Sequence, residues 1–253
     1  KERNYAAPSV SFKNKEERIT GGYVMDSIPG IYENIILLDF KSLYPSIIRT
    51  FNIDPLTFVG KISGKNLIIA PNRAAFKKDP GLLPEIISSL MEEREKVKKE
   101  KDELTSHAIK ILLNSMFGVT ANPSFRFFNT DMANAITYFG QFLIKMTAEE
   151  IKKKGYEVIY QDTDSVFIKS GIEIYEDAEI EGRKLTVVIN RFFEKYIENT
   201  YGVKNHLELE FEKVYKMFIM PKIRGAETGA KKRYAGLRVI DGKEKIEFVG
   251  MES

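Results

Sequence analysis

The stretch GYEVIYQDTDSVFIKS, residues 155–170, reads as two short strands, 156–160 and 165–169, on either side of the tetrad Gln161-Asp162-Thr163-Asp164. Val158, Ile159 and Tyr160 before the tetrad and Val166, Phe167 and Ile168 after it are strand formers, so a tight hairpin with two acids at its tip is expected. Carboxylates placed where buried strands surface suit a hard divalent cation such as magnesium, which takes one or two of them together with substrate phosphates. The same Asp-Thr-Asp also makes an ordinary solvated turn, and so short a motif does not choose between the two.

Working outward, a long amphipathic helix is expected on each side of the hairpin. Residues 130–154 carry Ile136, Phe139, Leu143 and Met146 on one face and end in three lysines before Gly155, as a helix C-terminus prefers. A second helix covers about 177–199. Further back, 21–38 gives a short strand, a Pro29-Gly30 turn and the apolar run Ile35-Ile36-Leu37-Leu38, which surfaces at Asp39. If this strand neighbours the hairpin, Asp39 and Asp164 bracket a cation site although they are 125 residues apart in sequence. Between them, 54–83 is rich in loop signals, with Pro55, Pro71 and Pro80. It leads into two helices joined near Leu104–Ser106. The first opens around Pro84, with Ile86, Ile87, Leu90, Met91 and Val97 at helical spacing. The second is capped by Ser106, has a stripe of Ile109, Leu112, Leu113 and Met116, and stops at Gly118. Residues 207–211 alternate as a half-buried strand, and 232–249 form a hairpin turning at Asp241-Gly242. Strands, helical hairpin, helix, hairpin, helix, strands is an α+β order, with a mostly antiparallel sheet backed by helices. Residues 1–20 are polar, suited to wrapping a surface or staying partly loose.

Composition narrows the chemistry. The 253 residues are 43% hydrophobic and 30% charged, with no cysteine and two histidines, His107 and His206. Thiolate zinc sites, iron–sulfur clusters and cysteine nucleophiles are excluded, and any metal should be held by carboxylates. No apolar stretch is long enough to span a bilayer, so no membrane partner is expected and the cytoplasm is the default location. The formal net charge of +3 hides an asymmetry: residues 213–245 hold 10 basic and 3 acidic side chains, a net of +7 that leaves −4 for the remainder. A basic strip of this kind suits a nucleic-acid backbone.

Two cationic groups stand out. On the helical hairpin, Lys110, Asn114 and Phe117 share one face, and Arg94 with Lys98 do so on the preceding helix; cations and an amide so placed could grip a triphosphate. With five basic and six acidic residues over 92–103, a solvated face laced with ion pairs stays open. The second group is Lys231-Lys232-Arg233-Tyr234 at a strand start, suited to phosphate contacts or to protecting a sheet edge.

The order and wording of these segments resemble the family B DNA polymerases. DFKSLYPSII at 39–48 is similar to the family's first catalytic motif, KILLNSMFG at 110–118 to its fingers motif, YQDTDS at 160–165 to its third motif and KKRYAG at 231–236 to its primer-side motif. LEFEKVY at 209–215 also matches, and the wording at 220–237 is like that of bacterial members. The resemblance implies a polymerase palm with inserted helical-hairpin fingers: residues 1–80 as the N-terminal part of the palm, 81–125 as fingers, 126–240 as palm, and 241–253 as the start of a connection to a thumb. It implies two magnesium ions, with manganese as an alternative, held by Asp39 and Asp164 with the Phe40 backbone, and Asp162 in support. Ser42, Leu43 and Tyr44 would lie under the triphosphate, the last excluding a ribose 2′-hydroxyl. Arg94, Lys98, Lys110 and Asn114 would contact the incoming nucleotide's phosphates. Phe117 and Gly118 would flank the nascent base pair, and Tyr160, Lys231, Lys232, Arg233 and Tyr234 would meet the primer side of the DNA.

The implied function is template-directed addition of deoxynucleotides to a primer 3′-hydroxyl, in replication or repair, in a nucleoid-associated cytoplasmic protein. Its partners would be primer–template DNA, deoxynucleoside triphosphates and a chain carrying a thumb or an exonuclease, since neither is recognisable here and no proofreading is expected in this chain. Two departures concern the site itself: Gln161 stands where the family usually has glycine, placing a side chain at the hairpin tip, and Phe117 replaces the usual tyrosine. A catalytically weak or inactive DNA-binding module needing a partner subunit, and an RNA-synthesising palm enzyme, are the competing readings.

Overall fold

The computed structural model describes residues 19–251 except 224, 226 and 227. The elements in chain order are strand β1 (Gly30–Phe40), helix α1 (Leu43–Thr50), strands β2 (Phe58–Gly60), β3 (Leu67–Ile69) and β4 (Ala75–Lys77), helices α2 (Leu82–Lys99), α3 (Glu103–Thr120) and α4 (Thr130–Lys153), strands β5 (Glu157–Asp162) and β6 (Ser165–Lys169), helix α5 (Tyr175–Tyr201), and strands β7 (Leu209–Met220), β8 (Tyr234–Ile240) and β9 (Lys243–Val249). They form two compact units. One takes in Ser42–Phe139 and Ile197–His206 with the described residues up to Gly21; the other takes in Gly22–Lys41, Gly140–Tyr196 and the described residues from Leu207.

In the second unit a six-stranded antiparallel sheet runs in the order β5-β6-β1-β7-β8-β9. β1 is central because Ile35–Leu38 is apolar on both faces, and its four side chains are at most 3% exposed. One face packs on helices: Phe40 meets Phe193 of α5 at 5.8 Å, and Asn190 exchanges two 2.8 Å hydrogen bonds with the Leu209 backbone. The other face carries an aromatic cluster of Tyr160, Phe167, Tyr215 and Phe218, joined by the half-buried Tyr234. Gly236 is required where β8 crosses this cluster, since a Cβ there would enter the Tyr215 ring. Asn34 in β1 is left-handed (φ 48°), and its amide donates to the carbonyls of Ile172 and Glu173 at 2.9 and 2.8 Å; the pairing of β1 with β7 is irregular between Leu37 and Leu38. The β8–β9 turn falls at Asp241-Gly242 as expected, both with positive φ, as a two-residue hairpin demands.

The first unit holds α1, the small antiparallel sheet β2-β4-β3 and the hairpin of α2 and α3. Phe51 stacks on Phe139 at 3.6 Å, with Tyr201 set edge-on to both. The region 54–83, expected as loop, contains the three short strands. Each is three residues long, too short for periodicity to reveal. Two buried polar residues organise it. Asn52 donates to the carbonyls of Lys77 and Asp79 and accepts from the Gly81 N–H, while Asp54 accepts from the N–H groups of Leu56 and Leu83. Gly81 is obligatory there, because an added Cβ would lie 2.7 Å from that of Asp54.

The helical hairpin differs from expectation in its joint. α2 ends at Lys99 and α3 begins at Glu103, with Asp102 rather than Ser106 as the cap: its Oδ1 accepts the Thr105 N–H at 3.0 Å. Lys101 takes a left-handed conformation (φ 60°) to make the turn. Gly118 does not stop α3, which continues to Thr120 because Gly118 keeps a helical backbone. Of the expected stripe, Ile109 and Leu113 are buried but Leu112 is 46% exposed. β7 runs to Met220, well past the 207–211 strand expected from alternation, as its outer half pairs with both β1 and β8. The expectation for residues 1–20 lies outside the described residues except at its last two positions.

Candidate active site

Backbone register alone assembles the acids. β1 pairs with β6 so that Asp39 lies opposite Ser165, and the Phe40 N–H donates to the Asp164 carbonyl at 2.9 Å. Asp162 closes β5 opposite the same Ser165. Three acidic residues from two distant segments are thereby placed at one end of three adjacent strands, as the apolar patterning of both segments requires once they pair antiparallel. Thr163 adopts a left-handed conformation (φ 45°) at the turn, and its N–H donates to the Tyr23 carbonyl at 2.9 Å.

The three acids are not equivalent. Burial, with Asp162 and Glu212 adding to it, pushes the Asp164 carboxyl above the usual carboxylate range against the opposing pull of its own backbone N–H and of Lys232. Asp162 is engaged by a cation: Lys232 Nζ lies 2.5 Å from its Oδ1, with Thr163 Oγ1 at 3.2 Å and the Tyr160 hydroxyl 3.5 Å from Oδ2. On β7, Glu210 lies opposite Asp39. Lys41 pairs with Glu208 and Glu210 at 3.3 and 3.5 Å. The alternation in LELEFE marks Glu210 and Glu212 only as the outer face of a half-buried strand; the pairing of β7 with β1 sets Glu210 opposite Asp39, and Glu212 close enough to act on the Asp164 carboxyl.

Among the described residues no three His, Cys, Asp or Glu side chains gather closely enough to hold an ion by themselves. Asp39 in β1 and Asp164 in the adjoining β5–β6 turn, whose carbonyl accepts the Phe40 N–H, match the smaller protein share that magnesium takes when substrate phosphates complete its shell.

Lys231–Tyr234 sits beside the acid turn. Tyr160 ties the two together, its hydroxyl accepting the Lys232 N–H at 2.9 Å. Burial is the main reason that the Tyr160 and Tyr234 phenols are each pushed up to about 12. Tyr234 is therefore a neutral wall of the aromatic cluster, while Lys231, Lys232 and Arg233 are exposed. Lys231 reaches Asp26 at 2.9 Å.

Gln161 is placed differently from expectation. It lies within β5 rather than at the tip, is 2% exposed, and donates from Nε2 to the Ile144 carbonyl of α4 at 2.6 Å. The strand persists to Asp162, so residue 161 faces the helices.

In the first unit, Ser42 is left-handed (φ 48°) at the start of α1 and Leu43 is buried, which leaves its main chain as the part that could serve a ligand. Tyr44 and Phe117 come together, ring centroids 4.7 Å apart. Lys110 and Asn114 are exposed on α3. On α2, Lys98 pairs with Glu95 at 3.3 Å, the solvated arrangement left open above, whereas the Arg94 Nε is buried with no hydrogen-bond partner. Gly118 faces open space.

A family model described as DNA polymerase family B matches residues 1–253. The chain belongs to that family. DNA polymerase II of Escherichia coli (strain K12) is 39% identical over 98% of this chain, and a DNA polymerase of Desulfurococcus sp. (strain Tok) is 35% identical over 99% of it. The family B DNA polymerase of the hyperthermophilic archaeon Pyrobaculum calidifontis, a solved structure, matches with a TM-score of 0.63 and 27% identity over 96% of this chain. The chain spans about a third of the length of these relatives, 32% of the first two and 30% of the third. The α+β class expected from sequence is thus that of the family. No helix among the described residues is long and apolar enough to cross a membrane.

Proposed function

We propose that this chain is the nucleotidyl-transfer core of a template-directed DNA polymerase, with deoxynucleoside triphosphates and primer–template DNA as substrates. The observation that carries the reading is the register of β1 against β6, which sets Asp39 beside the Asp162–Asp164 turn, in a chain that belongs to family B.

In this reading Asp39 and Asp164, with the Phe40 carbonyl, hold two magnesium ions, or manganese in their place, and Asp162 supports them. Magnesium bound there supplies acidification of the primer 3′-hydroxyl and neutralisation of the leaving group. The primer 3′-oxygen forms a bond to the α-phosphorus as the bond to pyrophosphate breaks. Arg94, Lys98, Lys110 and Asn114 of the α2–α3 hairpin take the phosphates, as the fingers of the enzyme; the uncompensated Arg94 Nε is suited to an anion. Ser42 and Leu43 offer main-chain groups to the triphosphate, and Tyr44 excludes a 2′-hydroxyl from the sugar. Phe117 and Gly118 flank the nascent pair. Tyr160, Lys231, Lys232, Arg233 and Tyr234 serve the primer strand, with Lys232 exchanging its Asp162 partner for a phosphate when DNA binds.

Primer extension with magnesium, run beside Asp164→Ala, tests this. Extension by the unaltered chain and a loss of at least about a thousandfold in the variant is expected, on the scale of removing an essential catalytic group. Equal extension by both proteins would sink the assignment.

A further inference from the structure

The end of β5 is held on several sides. The Gln161 carbonyl accepts the Met25 N–H at 3.1 Å, the Thr163 N–H reaches Tyr23, and the Asp164 carbonyl accepts from Phe40. Those ties run through the main chain. Toward the helices the tie is a side chain: the Gln161 amide donates at 2.6 Å to the Ile144 carbonyl, midway along α4. A helix carbonyl keeps a second lone pair after its intrahelical bond, so the contact adds to the helix without replacing a bond in it.

The surroundings make a polar side chain here informative. Gln161 lies opposite Val166 in the β5–β6 pair, and Val166, Ile168, Ile36, Leu38 and Ile144 are all 0% exposed. Packing alone would be served by an aliphatic residue. An amide with one directed bond instead fixes the height and rotation of the strand end on the helix, one residue before Asp162 and three before Asp164.

We propose that Gln161 is a positioning residue: through Ile144 it locks the acid-bearing turn onto α4 and so sets Asp164 and Asp162 relative to Asp39 for a divalent cation. This rests on the metal reading of Asp39 and Asp164 proposed above. Partners that orient metal ligands typically change affinity by 10–100-fold when lost, and Gln161 is expected near the lower figure.

The test uses the 253-residue chain with Gln161→Met, which keeps the volume and removes the amide, and Gln161→Leu beside it so that a folding failure of one leaves the other to decide. Manganese binding is followed by the paramagnetic resonance of the free ion, and hydrogen exchange is followed at 162–165. The expected result is manganese binding weakened roughly tenfold, with faster exchange at the turn and unchanged exchange in β7 and β8. Asp164→Ala is measured in parallel and is expected to lose the ion. If Asp164→Ala loses manganese while the Gln161 variants bind it like the parent, Gln161 is core filling and the inference is overturned, with the proposed function intact. If Asp164→Ala binds manganese like the parent, the metal reading falls and the inference with it.

Discussion

Burial and the neighbouring charges of Asp162 and Glu212 hold the Asp164 carboxyl above the usual carboxylate range, and that has a cost in the metal-free protein. The folded state binds this proton more tightly than the unfolded chain does, so the cost grows as pH rises through the interval between the ordinary and the raised value, and is present in full above it. Asp164→Asn should therefore raise the melting midpoint at neutral pH in a chelating buffer, at roughly 2–4 °C for each kcal/mol relieved, while removing metal binding. The gain should shrink on acidification; an unchanged or lower midpoint at neutral pH would contradict it. At this scale the sequence identified Asp39, Asp162 and Asp164 because acids at strand ends are conspicuous. It misplaced the Gln161 side chain because a tetrad of turn-forming residues gives no sign of which one still belongs to the strand.

The helices show how local chemistry sets boundaries. Two long amphipathic helices were legible in the sequence, and α4 matches its expected span almost to the residue, helped by the terminal lysines and Gly155 (φ 90°). The α2–α3 joint was shifted because Asp102 and Ser106 both offer caps, and Asp102 wins by reaching the Thr105 N–H. The Thr105 side chain and backbone N–H hold the Asp102 carboxyl below its usual value, so its contribution is present above the unfolded carboxylate range and is lost as pH falls through the lowered folded value. Asp102→Ala should lower the melting midpoint at pH 7 by a few degrees, and the gap from the parent should narrow on moving below about pH 4, leaving the part that a neutral carboxyl oxygen still supplies as acceptor. A gap that keeps its full neutral-pH size in acid would show that the charge of the carboxylate adds nothing to the cap. Helix α1 went unread, since eight residues are too few for a periodic signal and Pro45 looks like a breaker unless it is known to sit in the first turn, where its missing N–H costs nothing.

For the whole molecule, the +7 of residues 213–245 overstates the charge on offer. In the fold Lys213 pairs with Glu212 and Glu247, Lys216 with Glu244, Arg238 with Glu247, Lys231 with Asp26 and Lys232 with Asp162. Lys213, Lys216 and Arg238 are thus tied into a network across β7, β8 and β9; Lys231, Lys232 and Arg233 are consecutive and exposed just before β8, and are expected to be the group that meets phosphates, with Lys231 and Lys232 giving up their acid partners. Binding to duplex DNA should weaken with salt at a log–log slope near −3, as about three neutralised phosphates give, rather than the roughly −9 of all 10 basic side chains of the strip engaged together. Lys232→Ala should flatten that slope by roughly one; an unchanged slope would place the DNA contacts elsewhere.

The amino-acid order alone sets the chemistry available: no thiolate, almost no imidazole, acids at strand ends, a basic excess over residues 213–245, and apolar runs whose periods separate strands from helices. These follow from composition and from contacts a few residues apart. Which acids come to lie near one another depends on pairing between segments far apart in the chain. Asp39 and Asp164 become neighbours through β1–β6 pairing, Glu210 and Glu212 join them through β1–β7 pairing, and Lys232 closes on Asp162 because β8 follows β7. Register between strands is set by a whole sheet face being buried at once, and that cooperative choice is not encoded in any one segment.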